Sequence, residues 1–471
     1  MLYHSPEFAV FLAATAAAFF VAPVRLRPPL LLAASYLFYA DFRSSHLLIL
    51  LGVTAVTYEG ALVVGRRRRP VVLAVLVALV LSVLAFFKYY GFLWGLAGTA
   101  PPGGWTPVLP VGISFYTFQA VSYLVDVYRG DIEAERSPVR VALYLAFFPQ
   151  VLAGPIERAG SLMHQFDRME RPPLEDVFVG AKVVLWGLFC KLVVADKVGL
   201  VVDPLLDSPG DHPGAAVLAG VYLYSFQIFF DFYGYTNVSI GLARALGVRL
   251  SFNFNNPYGA RSIREFWRRW HITLTTWFRD YVYVPLGGRA PTRSRWALNV
   301  IVVFLLSGLW HGASLNFVAW GGLHAFYYLA GAATVEGRDR LAASLGLHPD
   351  TTVRRVAQVL WTFHLVTFAW LIFRLGTPGA VSDVARQISS VGGGPWLALG
   401  DPLGLPSTGL FLTLLVGTLA IQATGAAWLI VSRVPRGWSE TASEVVLVNA
   451  IVLGLVLLGD VGAREYIYFQ F

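Results

Sequence analysis

In Trp310-His311-Gly312 a histidine closes an apolar run, about sixteen residues beyond the cluster Arg289, Arg293 and Arg295. A neutral imidazole can take the proton of a hydroxyl as its oxygen attacks an electrophile. An ionisable ring is costly to keep at membrane depth, which makes His311 a candidate general base. The same ring could instead be satisfied by a hydrogen bond across two helices. Its setting favours chemistry: Gly308 and Gly312 leave room for close backbone approach or a substrate, Trp310 adds an aromatic wall, and Ser314, Asn316 and His324 supply polar groups nearby. If the run from Arg295 is helical, His311 stands about 24 Å from the arginines at 1.5 Å per residue, past the membrane midplane. A second histidine, His271, lies next to an arginine cluster in the sequence. Two histidines at two depths suggest a path with a donor on one side and an acceptor on the other.

That second histidine belongs to RSIREFWRRWHITLTTWFRDYVY, residues 261–283, whose apolar and aromatic positions recur at helical spacing. Arg264, Arg268 and His271 then fall on one stripe. Two readings fit: an interfacial helix with Trp at headgroup level and Arg on anionic lipid, or a polyanion site. In the second, the forks of Arg264 and Arg268 bind phosphate oxygens while Trp267 or Trp270 covers a planar base. The preceding Asn253, Asn255, Asn256 and Pro257 form irregular backbone, tolerated near a membrane when buried in protein or held at the interface. Asn255, Asn256 and Arg264 could hold a developing oxyanion, or the asparagines could brace the backbone. Asp231 and Asp280 are expected to partner neighbouring arginines.

The elements that must position these residues are membrane helices. The chain has 471 residues, 56% hydrophobic and 14% charged, with a mean hydropathy of +0.61, which excludes an ordinary soluble domain. Its formal charge of +8 comes from arginines bunched between apolar runs, as at Arg66–Arg69, a pattern of topology and anionic headgroups rather than nucleic-acid binding. The single Cys190 excludes an intrachain disulfide and a multi-cysteine metal site. Apolar runs near 7–24, 28–42, 46–64, 70–97, 108–128, 177–201, 214–233, 296–315, 317–333, 356–374, 408–431 and 443–460 predict an all-α polytopic protein of about 11–12 transmembrane helices. Basic loops all follow spans of one parity, which places them inside and the N-terminus outside, its first helix uncleaved. The run Val141–Ile156, too short to cross and broken by Pro149, Gly154 and Pro155, predicts a re-entrant hairpin. No internal repeat, low-complexity segment or separate soluble domain is visible, so residues 1–471 read as one integral-membrane domain with a catalytic core at about 108–333. The Gly- and Pro-rich loop 392–407 reads as an extracellular connection.

Seven motifs carry a resemblance that spans nearly the whole chain: LPVGISFYTFQ at 109–119, FPQVLAGPI at 148–156, FDFYGYT at 230–236, FNFNNPY at 252–258, FWRRWH at 266–271, GLWHG at 308–312 and YIYFQF at 466–471. The sequence resembles the membrane-bound O-acyltransferase superfamily, in its bacterial branch of alginate-acetylating and teichoic-acid D-alanylating proteins. The resemblance implies a fold in which spanning, re-entrant and interfacial helices enclose a central tunnel. It implies that His311 is the catalytic histidine and His271 a second polar catalytic position, with Asn255, Asn256, Arg264, Arg268, Trp267, Trp270 and Trp310 as candidate substrate-binding residues. Expected with it are a cytoplasmic thioester donor, acetyl-coenzyme A or an acyl carrier, and no bound cofactor or metal. The expected acceptor is an extracytoplasmic polysaccharide hydroxyl, reached with an extracytoplasmic acyltransferase partner, and the expected location is a bacterial inner or plasma membrane with its lipids. D-alanyl transfer to an envelope polymer is an alternative. A transporter or flippase would also use an intramembrane histidine but usually shows internal repeats, and a scaffold for a polysaccharide synthase would not need His311.

Overall fold

The computed structural model describes residues 1–167, 169–349, 351–390, 427–428, 430–435, 438–459 and 466–467. Its first half holds α1 (Pro6–Val21), α2 (Arg27–Phe42), α3 (Ser44–Arg67), α4 (Pro70–Leu96), α5 (Ile113–Arg129), α6 (Pro138–Ala146), α7 (Phe148–Val151), α8 (Ala159–Leu162), α9 (Leu174–Leu188) and α10 (Asp196–Asp207). There follow α11 (Gly214–Ala245), α12 (Ile263–Trp267), α13 (Ile272–Phe278), α14 (Arg293–His311), α15 (Leu315–Ala333), α16 (Val335–Ser344), α17 (Thr352–Arg374), α18 (Pro378–Ser389) and α19 (Trp438–Leu458). No strand occurs among the described residues, as expected where lipid leaves backbone groups no partners but those of the same helix.

Seven described helices are long and apolar enough to cross a membrane: α3, α4, the continuous helix 174–207, α11, α14, α17 and the body of α19. Fewer helices stand alone as spans than the apolar runs suggested. The runs at 7–24, 28–42 and 108–128 hold α1, α2 and α5, of 16, 16 and 17 residues, about 24–26 Å at 1.5 Å each against a hydrocarbon core of about 30 Å. The run at 317–333 holds α15, which carries Asn316 and His324. The loop 392–407, most of the run 408–431 and the end of the last motif, 468–471, lie outside the described residues.

The centre of the molecule is α11, with 83% of its most apolar window buried, whereas α4 and α19 bury 11% and 6% of theirs and face outward. Close packing of α9 on α11 depends on paired glycines: a Cβ on Gly180 would lie 2.6 Å from the Gly241 carbonyl oxygen, and one on Gly187 2.6 Å from that of Gly234. The run 141–156 is buried and broken, as its Pro149, Gly154 and Pro155 suggest. Phe147, at φ −50° and ψ 108°, separates α6 from α7, and side chains supply what the helix no longer does. Ser35 Oγ accepts from Phe148 N (3.0 Å), Gln150 donates to the Pro155 carbonyl (2.7 Å) and Thr273 Oγ1 accepts from Ile156 N (3.0 Å).

The amphipathic segment 261–283 is not one helix. Its helical spacing continues across a sharp break at His271, whose φ of 41° and ψ of 54° are left-handed. Trp267, Trp270, Trp277 and Phe278 are all buried, so this segment packs as core instead of lying at the interface, and the stripe of Arg264, Arg268 and His271 is divided. Asp280 does pair with arginines, Arg279 at 2.7 Å and Arg158 at 3.4 Å. Asp231 does not: it sits 2.6 Å from Lys191, which also holds Asp196 at 2.7 Å, from the π-helical turn Phe189–Ala195.

Candidate active site

His311 is the last residue of α14, followed by an extended Gly312 at φ −167° and ψ 158°. Gly312 is there for space: a Cβ would fall 2.1 Å from the Phe317 ring. Upstream, Gly308 meets Gly321 of α15, where a Cβ on Gly308 would lie 2.2 Å from the Phe317 carbonyl oxygen and one on Gly321 2.3 Å from that of Phe304. The two helices thus touch backbone to backbone and hold the imidazole, 4% exposed, among Trp310, Trp320 and Phe373 at ring-centroid distances of 4.9, 5.1 and 5.4 Å. The carbonyls at the end of α14 have no partners within the helix. Helix α4 supplies them: Lys88 Nζ donates to the carbonyls of Trp310 (2.6 Å) and His311 (3.0 Å), and the Tyr89 hydroxyl donates to that of Leu309 (2.6 Å).

His271 is wholly buried and approaches from the other side of Trp310, with ring centroids 6.0 Å apart, while Phe232 meets its face edge-on at 4.7 Å. The expectation of two histidines at two depths is therefore corrected. The chain turns back at the helix break and carries His271 away from the arginines to the level of His311. Its tautomer is set by Asn253. The asparagine Oδ1 accepts from Thr273 N (3.2 Å) and Thr273 Oγ1 (2.7 Å), which fixes it as the oxygen, and lies 3.3 Å from His271 Nδ1. Nδ1 therefore carries the hydrogen and Nε2, buried and without a hydrogen-bond partner among the described residues, carries the lone pair. The ring is wholly buried, which favours its uncharged form, so Nε2 is an acceptor.

One hollow lies against His311 and a second at the far end of α14. A cavity of about 80 Å³ lies against Lys88, Trp310, His311 and residues 109–115. A cleft of about 1170 Å³ opens at the other end of α14, lined by Arg261, Arg264, Arg268, Arg289, Arg293 and Arg338. None of the six forms an ion pair among the described residues, apart from Arg264 they make no cation–π contact there, and Arg264 lies over the Tyr328 ring at 5.3 Å. Between the hollows stand Trp267, Phe304, Trp320 and His324, packed ring to ring at 4.8–6.2 Å. Arg264 and Arg268 thus occupy a basic cleft as the sequence suggests, and Trp310 walls the cavity. Trp267 and Trp270 are buried against His324 and Trp370, where neither can cover a base in the cleft. Asn255 and Asn256 are exposed, and it is their backbone that is held: Asn255 N donates to the Arg269 carbonyl (2.9 Å) and the Asn256 carbonyl accepts from the Arg269 guanidinium (3.2 Å). The asparagine that reaches the histidine is Asn253. Lys88 also escaped the reading, although a lone charge in the 27-residue apolar helix α4 was a signal.

Residues 134–341, which contain both histidines, match the model of the membrane-bound O-acyltransferase family. Over 370 residues the chain is 37% identical to the probable alginate O-acetylase AlgI of Pseudomonas putida, covering 76% of this chain and 73% of that protein. The chain belongs to the membrane-bound O-acyltransferase family. It is also 32% identical over 414 residues to the peptidoglycan O-acetyltransferase of Helicobacter pylori, covering 79% and 77% of the two chains. With the teichoic acid D-alanyltransferase of Streptococcus thermophilus it shares 27% identity over 281 residues, 56% of this chain and 68% of that one. As an O-acyltransferase of the alginate-acetylating branch, the protein is a multi-pass membrane enzyme, and the alternatives of transporter and scaffold fall away. The family match begins at residue 134, so Lys88 and the wall 109–115 lie outside it.

Proposed function

We propose that this enzyme moves an acetyl group from a thioester bound in the arginine cleft to a hydroxyl of an envelope or secreted polysaccharide, with His311 as general base. The observation that carries the reading is the arrangement along α14: a basic cleft at its start and a small cavity against His311 at its end, about 27 Å further on at 1.5 Å per residue. The cavity, about 80 Å³, suits a two-carbon acyl group. Six arginines suit the phosphates of coenzyme A or of a carrier's phosphopantetheine. The acceptor oxygen attacks the thioester carbonyl as its proton passes to the imidazole; when the intermediate collapses, the C–S bond breaks and the proton goes to the thiolate. His271, neutral with its lone pair on Nε2, is suited to accept a hydrogen bond from the attacking hydroxyl and orient it. In this reading the cleft faces the cytoplasm of a bacterial cell, the N-terminus lies outside, and an extracytoplasmic partner receives or directs the acyl group.

Transfer of label from radiolabelled acetyl-coenzyme A to the polysaccharide fraction of sealed vesicles from the native host tests this, with wild type and His311→Ala at matched expression. The expected result is thioester consumption and polymer labelling by wild type and a loss of both by at least about 100-fold in the variant. Unchanged turnover in His311→Ala would overturn the assignment. Labelling of an alanine-bearing polymer from a D-alanyl carrier, with none from acetyl-coenzyme A, would replace acetyl by D-alanyl transfer.

A further inference from the structure

Lys88 is the one charged residue of α4, a helix of 27 residues that buries only 11% of its most apolar window. A charge in such a helix is costly, and a lysine near a helix end ordinarily extends its stem to reach water. Lys88 instead turns inward. Its ammonium lies 2.6 and 3.0 Å from the last two carbonyls of α14 and 5.8 Å from the centroid of the Trp310 ring, and its side chain lines the same cavity as His311. Capping a helix end does not need this charge, since Tyr89, the next residue, satisfies the Leu309 carbonyl with a neutral hydroxyl. An ammonium has three N–H groups and two are engaged, which leaves one donor in the wall of a cavity whose opposite function, a base, is already present.

We infer that Lys88 is a further catalytic residue, donating its third N–H to the acyl oxygen in the cavity and stabilising the negative charge that grows there. The inference rests on the acyl-transfer reading above. As the acceptor oxygen bonds to the carbonyl carbon, the C=O π pair moves onto oxygen and meets the Lys88 N–H; collapse re-forms C=O and expels the thiolate, with no change in the protonation of Lys88. A donor fixed beforehand in a low-dielectric site is worth most where charge develops during the reaction. The same two carbonyls that hold the ammonium belong to Trp310 and His311, so base and oxyanion donor are locked to one helix end.

The test compares Lys88→Met, Lys88→Arg and Tyr89→Phe with wild type in vesicles, using radiolabelled acetyl-coenzyme A, with kcat and KM measured separately. Lys88→Met is expected to lower kcat about 100-fold or more with KM within about twofold, the signature of an interaction made only in the transition state. Lys88→Arg, which keeps the charge, should retain kcat within about tenfold of wild type, and Tyr89→Phe, which removes a clamp without touching the cavity, within about twofold. A Lys88→Met enzyme with kcat near wild type, or one no slower than Tyr89→Phe, would overturn the inference. Should Lys88→Met not be recovered folded, Lys88→Gln is read in its place: a kcat loss beyond about tenfold supports the role of the charge and an unchanged kcat refutes it. Activity surviving in His311→Ala overturns His311 as the general base on which this reading rests, whereas an inactive His311→Ala beside an active Lys88→Met overturns Lys88 alone.

Discussion

Asn253 decides which nitrogen of His271 can accept a proton. Its carbonyl oxygen is held by two donors of Thr273 and faces His271 Nδ1, which leaves Nε2 as the basic atom. Without that oxygen the neutral ring is free to place its hydrogen on Nε2, the wrong atom for an acceptor. Asn253→Ala should therefore lower kcat roughly tenfold or more while the enzyme stays folded, and Thr273→Val, which removes the stronger of the two supports and also the acceptor of Ile156 N, should lower kcat less but cost stability as well. Measured kcat for acetyl transfer checks both, and an Asn253→Ala enzyme at wild-type rate would strip His271 of its assigned role. At this scale the sequence was only partly legible. Trp310-His311-Gly312 announced itself because a histidine in an apolar run is expensive. The three asparagines at 253, 255 and 256 are chemically identical and closely spaced, and nothing local says which turns inward. That is decided by Asn253 and Ile272 meeting across a loop, through Ile272 N donating to the Asn253 carbonyl at 2.9 Å.

The helix pair α14 and α15 fixes the height and angle of His311, and its closeness comes from Gly308 and Gly321, whose Cα atoms allow a separation no side chain permits. Gly308→Ala places a methyl group 2.2 Å from the Phe317 carbonyl oxygen, so the helices must part by more than an ångström or the helix must rotate. The expected outcome is a loss of stability of about 1–3 kcal/mol together with a fall in kcat at little changed KM, because His311 moves relative to the cavity while the arginine cleft stays as it was. Thermal unfolding in detergent and steady-state kinetics on one preparation check this; an enzyme stable and fast as wild type would mean that the crossing is looser than its geometry. The helices themselves were legible as apolar runs, since a membrane span is specified by composition. The break at His271 was not. Ile263, Phe266, Trp267, Trp270, Leu274 and Trp277 keep helical spacing through it, and that continuity predicts a single helix even though the left-handed turn redirects the second half. The error in depth for His271 followed from its place beside the arginines in the sequence, which fixes a depth only where the chain does not turn, as it does here.

Across the whole molecule the charges are sorted by face. Lys88 stands 18 residues after Pro70 and the carbonyls it holds stand 17 and 18 residues after Arg293, so α4 and α14 begin from one face, which carries both Arg66–Arg69 and the six arginines of the cleft. The opposite face carries the cavity, whose lining among the described residues holds no lysine or arginine but Lys88. Such a division suits a donor rich in phosphate on one side and leaves the other open to a hydroxyl acceptor. The consequence is testable at the cleft without touching the histidines. Replacing Arg264 and Arg268 together by Gln should raise KM for acetyl-coenzyme A about tenfold, equivalent to about 1.4 kcal/mol, with kcat unchanged, since the lost contacts hold substrate and transition state alike. Because the cleft is open to solvent, high salt should raise the wild-type KM in the same direction and move the variant less. An acetyl thioester of pantetheine, which lacks the nucleotide phosphates, should show similar KM for both proteins. Equal KM for acetyl-coenzyme A in variant and wild type would remove the donor from this cleft, and a loss of the same size for the pantetheine thioester would mean that the two arginines hold the fold rather than the phosphates.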